Sequence, residues 1–231
     1  MRIWDISPGY LNRQSLLGEH RELHGIVSII TNQKKGYSRH PETLRWLEYG
    51  WALTMRHNLL AAEMKLRNYN EQSPVKLPGN QGIWPPVYID KPMGQLKILT
   101  EKYKSKDKGR IPLPQTPQEL WSQHKYSVMA RDIPMYKKIG RKVSQMPPND
   151  DFSELCQILT EKLRTPPSPG GLKNALQHMW GHVANYYQGS KEQIHHWAMQ
   201  ELFDNTQKIA IKIEETYLLK STALSELTIW L

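Results

Sequence analysis

Apolar residues recur at three- and four-residue steps along most of this chain, and this periodicity restricts the fold more than any other feature. Two long stripes, over residues 10–32 and 41–68, each have the pattern of an amphipathic helix. Further helices are predicted over residues 117–131, 134–145, 151–164, 170–188, 190–204 and 205–220. No segment shows the alternation of a β-strand. The sequence therefore predicts an all-α fold.

Composition excludes several classes of protein. The single cysteine, Cys156, excludes an intramolecular disulfide and any site built from several cysteines. No apolar run approaches the 18 residues of a membrane span, and the first residues lack the apolar region of a signal peptide. These features predict a globular protein of the cytoplasm without a membrane partner.

Positive charge is concentrated in the middle of the chain. The formal net charge is +9, and residues 91–142 contain 13 Lys and Arg against 4 Asp and Glu. A local excess of this kind attracts polyanions, of which nucleic acid is the commonest, although a solubilising loop is the alternative. The basic residues that we expect to contact DNA phosphates are Lys104, Lys106, Lys108 and Arg110.

A long irregular connection separates the predicted helices into two groups. Residues 71–118 are rich in proline and basic residues, with one short helix expected near 93–104. We therefore predict two domains, residues 1–118 with this connection included and residues 119–231.

The first predicted helix has an unusual polar face. Ser15, Gly18, Glu22 and Gly25 are spaced so that they share one side of the helix. Two glycines there would leave a shallow groove that another backbone can approach, with a carboxylate in it. A solvated face with incidental glycines is the alternative interpretation.

Three segments carry a resemblance to a known family. They are MRIW at residues 1–4, LNRQSLLGEHREL at residues 11–23 and KGYSRHP at residues 35–41. In this order they resemble the pyrimidine-dimer DNA glycosylase (endonuclease V) family. The resemblance covers residues 1–70 and implies an endonuclease V-like helical domain that acts as a glycosylase and abasic-site lyase on damaged double-stranded DNA.

The resemblance also implies roles for individual residues. The nucleophile falls on the α-amine of Met1 and the catalytic carboxylate on Glu22, while Arg2, Gln14 and Arg21 fall on DNA- and site-contacting positions. Such Schiff-base chemistry needs neither a metal nor a nucleotide cofactor. Where the family pattern has an arginine one turn after the glutamate this chain has a glycine, which leaves the choice of lesion open.

An α-amine suits this chemistry. Its pKa lies near 7.7–8.0, against about 10.4 for lysine, so a useful fraction is unprotonated at neutral pH. It can therefore attack a sugar C1′ without deep burial.

The second half of the chain resembles a different family. Residues 170–182 have the sequence GGLKNALQHMWGH, similar to the signature of the YbgA-type domain of unknown function. The resemblance covers about residues 120–231 and implies a second helical domain with an accessory role in nucleic-acid handling. The resemblance does not decide whether this second domain binds DNA or RNA.

Two histidines in this signature have a spacing that can bind zinc. His178 and His182 are four residues apart, but no cysteine or third ligand accompanies them. Histidines that pack and hydrogen-bond between helices are the favoured interpretation. Four aromatic residues have a helical spacing that is more typical of a core, with stacking on exposed bases as the alternative: Trp180, Tyr186, Tyr187 and Trp197.

Two functions from different classes follow from the sequence. The first is a DNA glycosylase with abasic-site lyase activity, and the second is a non-catalytic module that binds nucleic acid, including RNA. A scaffold whose basic segment aids only solubility is a third and weaker interpretation.

Overall fold

The computed structural model describes residues 1–194 and 196–231, and within them the chain forms helices and no strand. The predicted all-α fold is thereby confirmed. The α-helices are α1 (Arg13–Asn32), α2 (Pro41–Trp46), α3 (Gly50–Leu66), α4 (Pro92–Lys102), α5 (Pro117–Met129), α6 (Ile133–Ser144), α7 (Ser153–Leu163), α8 (Pro169–Gly181), α9 (Lys191–Ile194), α10 (Met199–Lys212), α11 (Thr216–Leu219) and α12 (Ala223–Glu226). Short 3-10 helices occupy Pro8–Tyr10, Ala184–Tyr186 and Leu227–Trp230. Across the described part of the chain, no helix has both the length and the apolar character needed to cross a bilayer.

The chain divides into two compact units, Met1–Gly109 and Arg110–Leu231. In the first unit α1 packs against α2 and α3. Helix α1 begins at Arg13 because Asn12 caps it, accepting a hydrogen bond from the Ser15 N–H at 2.9 Å. The preceding 3-10 turn of Pro8–Tyr10 replaces the first turn of helix that the periodicity predicts from residue 10.

The single helix predicted over residues 41–68 is wrong, because the chain turns between α2 and α3. The N–H of Trp51 bonds to the carbonyl of Gly79 at 3.3 Å instead of continuing a helix ladder. A Cβ at Gly50 would lie 2.3 Å from the carbonyl oxygen of Pro78, so only glycine fits where the later segment passes. The break therefore depends on a tertiary contact.

Residues 71–109 of the proline-rich connection belong to the first unit and pack against the rest of it. Val75 is buried, and α4 begins at a proline within the region where a short helix is predicted. The Tyr103 hydroxyl accepts a hydrogen bond from the N–H of Asn12 at 2.9 Å. The connection thus closes over the start of α1.

In the second unit α5 is the central helix, in contact with α6, α7, α8 and α12. The carbonyl of Gln123 in α5 accepts the N–H of Thr222 at 2.8 Å, which fixes the approach to α12. The side chains of Arg131 and Glu226 form an ion pair at 2.9 Å with almost no exposure. These contacts tie the end of the chain to α5.

The helix boundary predicted at residues 204/205 is also wrong, since both positions lie inside α10. The buried stripe runs through this point without interruption, from Phe203 to Ala210. The chain turns instead at Glu214, whose φ of 53° lies in the left-handed region of backbone conformation.

One buried histidine makes the second unit sensitive to acid. His124 lies in α5, where its Nδ1 is 2.9 Å from the carbonyl of Leu120. Burial lowers its pKa to about 4 from the usual 6.5. Below pH 6.5 the unfolded chain binds a proton that the folded protein does not, so stability falls with the pH until the folded-state pKa is reached.

We expect His124 to contribute a loss of about 3 kcal/mol in unfolding free energy between pH 7 and pH 4. In His124→Gln this part of the pH dependence should disappear, as measured by urea unfolding at a series of pH values. His178→Gln is the control, since His178 is exposed. Equal pH slopes for His124→Gln and the wild type would contradict the prediction.

Candidate active site

The amino-terminal segment is held by side chains rather than by a neighbouring strand. Four consecutive main-chain N–H groups each donate to a side-chain oxygen from a different position. The acceptors for Arg2, Ile3, Trp4 and Asp5 are, in order, Glu22, Glu42, Glu19 and Gln95. Because buried N–H groups need a partner, these acceptors determine the path of the segment that begins at Met1.

Glu19 is the centre of this arrangement. Its carboxylate accepts the Trp4 N–H at 3.0 Å and pairs with both Nε and Nη2 of Arg56, at 2.7 and 2.9 Å. Arg56 also donates to the carbonyl of Ile6 at 2.8 Å. Both charged side chains are fully enclosed, and burial raises the pKa of Glu19 while Arg56 opposes that rise. One ion pair therefore joins the amino-terminal segment, α1 and α3.

Glu42 supports the same segment from α2. Its carboxylate accepts the N–H of Ile3 at 3.3 Å and the indole N–H of Trp46 at 3.2 Å. Burial raises its pKa, against the effect of Arg45. The path of the segment is thus fixed from two helices.

Glu22 lies at the edge of this structure. It is half-buried, and its carboxylate accepts the main-chain N–H of Arg2. That nitrogen is one residue from the α-amine of Met1, which is also half-buried. The structure therefore places Glu22 against the residue that follows Met1, and Met1 and Glu22 are the two residues for which the sequence predicts catalytic roles.

The three predicted contact residues differ in their surroundings. Arg2 pairs with Asp90 at 2.6 Å, and its guanidinium lies 4.9 Å from the ring centroid of Trp4. Gln14 and Arg21 are exposed on α1, where Arg21 donates to the carbonyl of Leu17 at 3.3 Å. Gln14 and Arg21 are accessible to a ligand, whereas Arg2 already has an anionic partner.

The glycine face of α1 is open. A Cβ added at Gly18 or Gly25 would meet no described atom within 4 Å, so packing does not require glycine at either position. Ser15, predicted on the same face, is buried below it. The open surface thus consists of the two glycines with Glu22 between them.

The predicted basic contacts fall into two groups. Lys104, Lys106 and Lys108 are exposed, and Lys104 pairs with Glu101 at 2.6 Å. Arg110 is half-buried, and its guanidinium bonds to the carbonyls of Leu219 and Ser221, the latter at 3.1 Å. The lysines are available to phosphates, while Arg110 holds the carboxyl-terminal helices.

Sequence reasoning missed a group of histidines on the other side of α1. His20 and His24 lie close to His57 of α3 and to Glu71. Of these four residues, His20 and Glu71 line a surface cavity of about 660 Å³. Burial lowers the pKa of His57 and of His20, and for His20 the neighbouring imidazoles act in the same direction. The four-residue spacing of His20 and His24 on a predicted helix was the available signal.

The histidines considered from the sequence have other roles. His178 is exposed, whereas His182 lies 2.7 Å from the Tyr126 hydroxyl and stacks on Tyr217.

The aromatic side chains considered from the sequence are not core residues, since Trp180 and Trp197 are half-buried and Tyr186 is exposed, whereas the thiol is buried. Trp180 and Trp197 pack edge to face, with their ring centroids 5.3 Å apart. Cys156 is buried, which raises its pKa to about 12. A thiol with so high a pKa is a poor nucleophile at neutral pH.

Comparison with known families agrees with the division of the chain. Residues 1–77 match the family model of the pyrimidine dimer DNA glycosylases. Residues 125–226 match a family described as a protein of unknown function, DUF1722. Both resemblances drawn from the sequence are thereby confirmed.

The first match supports a DNA-repair role of the glycosylase type at the level of the family, with DNA as the substrate. No curated protein and no solved structure gives a significant match.

Removing the buried carboxylate should unfold the site. Glu19→Gln leaves the enclosed Arg56 guanidinium without a counter-charge, which costs about 3–5 kcal/mol of unfolding free energy. Glu101→Gln removes the exposed pair with Lys104 and should cost less than about 0.5 kcal/mol. Urea unfolding of both variants measures the difference. A similar small cost for both would show that the Glu19 pair does not hold the site.

Proposed function

We propose that the unit Met1–Gly109 is a DNA glycosylase and abasic-site lyase that acts through a Schiff base on the Met1 α-amine. The observation that carries the proposal is the hydrogen bond from the Arg2 N–H to Glu22, which sets a carboxylate next to the start of the chain. The match to the glycosylase family supports the same reaction class.

The amine attacks C1′ of the damaged nucleotide, and the bond from C1′ to the base breaks as the new C–N bond forms. The base leaves with the bonding electrons, and opening of the sugar ring gives an iminium ion. Loss of a C2′ proton then expels the 3′-phosphate by β-elimination, and water releases the enzyme. A Schiff base of this kind is covalent catalysis by an amine.

Glu22 has two tasks in this scheme. As a carboxylate it stabilises the cationic iminium. It also moves protons: the proton that it takes from the attacking amine is donated to O4′ as the ring opens, and it then accepts the C2′ proton during elimination. Its half-buried position favours both tasks, because partial exclusion of water strengthens the interaction of opposite charges.

The surface around Glu22 supports DNA as the substrate. Gly18 and Gly25 leave room for a sugar-phosphate backbone to approach α1 closely. Arg2 can contact a phosphate by exchanging its partner Asp90 for it. Exposing a lesion also costs less free energy than exposing a base of an intact pair, since the stacking of the lesion is already disturbed. The exposed donors available to phosphates are Gln14, Arg21, Lys104, Lys106 and Lys108.

The second unit carries a basic surface of its own. Helix α6 exposes Lys137, Lys138 and Arg141, while Ile139 and Val143 on its opposite face are buried. Such a stripe is typical of phosphate contacts. We infer that the unit Arg110–Leu231 contributes affinity for nucleic acid, with RNA as the alternative to DNA.

The lyase reaction can be tested by trapping. Tag-free protein with a confirmed free Met1 amine is mixed with duplex DNA that contains one abasic site, and borohydride is added. We expect a covalent adduct whose mass maps to Met1, and we expect acetylation of the α-amine to abolish it. Glu22→Gln should lower turnover by about 100-fold or more, with DNA affinity within about twofold of the wild type.

Glu48→Gln is the matched control, because Glu48 is an exposed carboxylate in the turn between α2 and α3. It should retain full turnover. If DNA binds without any adduct, the catalytic proposal fails and the non-catalytic binding module takes its place. A steep loss of affinity with salt would then identify phosphate contacts.

The glycine face gives a separate test in which stability and function move in opposite directions. Gly25→Ala should raise the unfolding free energy by about 0.5–1 kcal/mol, since alanine favours a helix and meets no neighbour here. If DNA approaches this face, the added methyl group should weaken binding several-fold.

Gly181→Ala is the control for this prediction. Gly181 also lies in a helix where an added Cβ would meet no described atom within 4 Å, but that helix is α8, which carries neither the glycine face of α1 nor the basic stripe of α6. Its substitution should leave the affinity for abasic DNA unchanged. Unchanged affinity in Gly25→Ala, measured by fluorescence anisotropy, would remove this face from the proposed interface.

A further inference from the structure

The three histidines between α1 and α3 converge through the same ring atom, Nε2. The Nε2 atoms of His20 and His57 are 3.2 Å apart, and those of His20 and His24 are 3.3 Å apart. The Oε1 atom of Glu71 lies 3.7 Å from His20 Nε2 and 3.8 Å from His57 Nε2. All four potential donor atoms lie within 4.8 Å of one another.

Hydrogen bonds within this group cannot give every one of the three imidazole Nε2 atoms a partner of its own. Each imidazole Nε2 has either one hydrogen or one lone pair, so it makes one good hydrogen bond. His20 Nε2 faces two other imidazole nitrogens and a carboxylate oxygen. A cation at the centre would engage every lone pair at once.

The distances match the size of a tetrahedral site. A metal with bonds of about 2.0–2.1 Å to nitrogen and oxygen has ligand atoms about 3.3 Å apart. Of the six separations, two already have this value, and those from Glu71 to His20 and His57 exceed it by no more than about 0.5 Å. The other two, from His24 to His57 and to Glu71, are within 4.8 Å. Rotation of the side chains, above all that of the half-buried His24, would complete the coordination shell.

The burial of the group also fits a metal ligand set. His57 is almost fully enclosed, and the Glu71 and His20 side chains are about 15% exposed. The three ring centroids lie 4.6–5.1 Å apart, so the rings pack against one another as well as pointing their Nε2 atoms inward. The group is preorganised by α1 and α3 rather than assembled from mobile surface residues.

We propose that His20, His24, His57 and Glu71 bind one divalent transition-metal ion of the zinc type. Imidazole ligands with one carboxylate suit zinc and its neighbours rather than calcium or magnesium, which prefer oxygen. With four protein ligands the site is closed, so the ion has a structural role. It joins α1, α3 and the segment that follows α3.

The site is distinct from the proposed catalytic surface. His20 and Glu22 are two positions apart on α1, so their side chains point about 200° apart around the helix axis. The ion would hold the helix that carries Glu22 from its opposite side. The proposal stands on these residues alone and does not depend on the lyase chemistry.

The test uses tag-free, full-length protein that has been stripped of metal with a chelator and dialysed. Zinc is titrated by calorimetry, and the metal content after gel filtration is measured by mass spectrometry. We expect one zinc ion per chain and a melting temperature about 5–10 °C higher at a zinc concentration 100 times Kd. Cobalt(II) should give the intense visible absorption of a four-coordinate site.

His24→Ala and Glu71→Gln are the diagnostic variants, because both residues are only partly buried and their loss should not prevent folding. Each should weaken zinc binding at least tenfold and abolish the visible cobalt spectrum. His178→Ala is the control and should bind like the wild type, since His178 is an exposed histidine outside the group.

Two results would overturn the proposal. One is the absence of stoichiometric binding of zinc or cobalt by the wild type. The other is equal binding by the wild type, His24→Ala and Glu71→Gln, which would locate the ion elsewhere. Abasic-site trapping on the same samples keeps the two proposals separate, since a failed adduct with one bound zinc ion contradicts only the lyase.

Discussion

The enclosed ion pair between Glu19 and Arg56 is the contact on which the first unit depends. It spans α1 and α3, accepts the N–H of Trp4 and donates to the carbonyl of Ile6. A buried pair of this kind gives little net stability compared with an apolar core, but losing one partner is costly. The main effect of this ion pair is to fix the position of the amino-terminal segment against α1, through the N–H of Trp4 and the carbonyl of Ile6.

Helix α1 serves three purposes on three faces. Its apolar face, with Leu16, Leu23 and Ile26, is fully buried in the core. A second face has Glu22 between two glycines, and a third directs two histidines toward α3. An error in the rotation of this helix would move the carboxylate and the histidines together. Core packing, the Glu19 pair and the histidine group all constrain that same rotation.

Local signals in the sequence predicted most of the helices but not where two of them break. The beginnings of α5 and α6 follow from a capping Thr116 or Asp132 and an early proline, all of which lie within a few residues. The turn before Gly50 depends on Pro78 and Gly79, almost thirty residues away. The periodicity of apolar residues reflects only neighbours along the chain. It does not detect a contact of that range, so it predicted one helix in place of two.

What the sequence alone determined is the all-α fold and the two family resemblances, since these rest on periodicity and on motifs. The same motifs suggested Met1 and Glu22 as the candidate catalytic pair. Only the tertiary structure decided which polar side chains meet. His20 and His57 are 37 positions apart and come together because α1 packs on α3. Arg110 similarly looks like one more basic residue in its segment, yet folding directs its guanidinium to carbonyls near the end of the chain. The physical reason is the same in both cases: a charge or lone pair acquires its partner from the packing of helices, and that partner is not encoded in its neighbours along the chain.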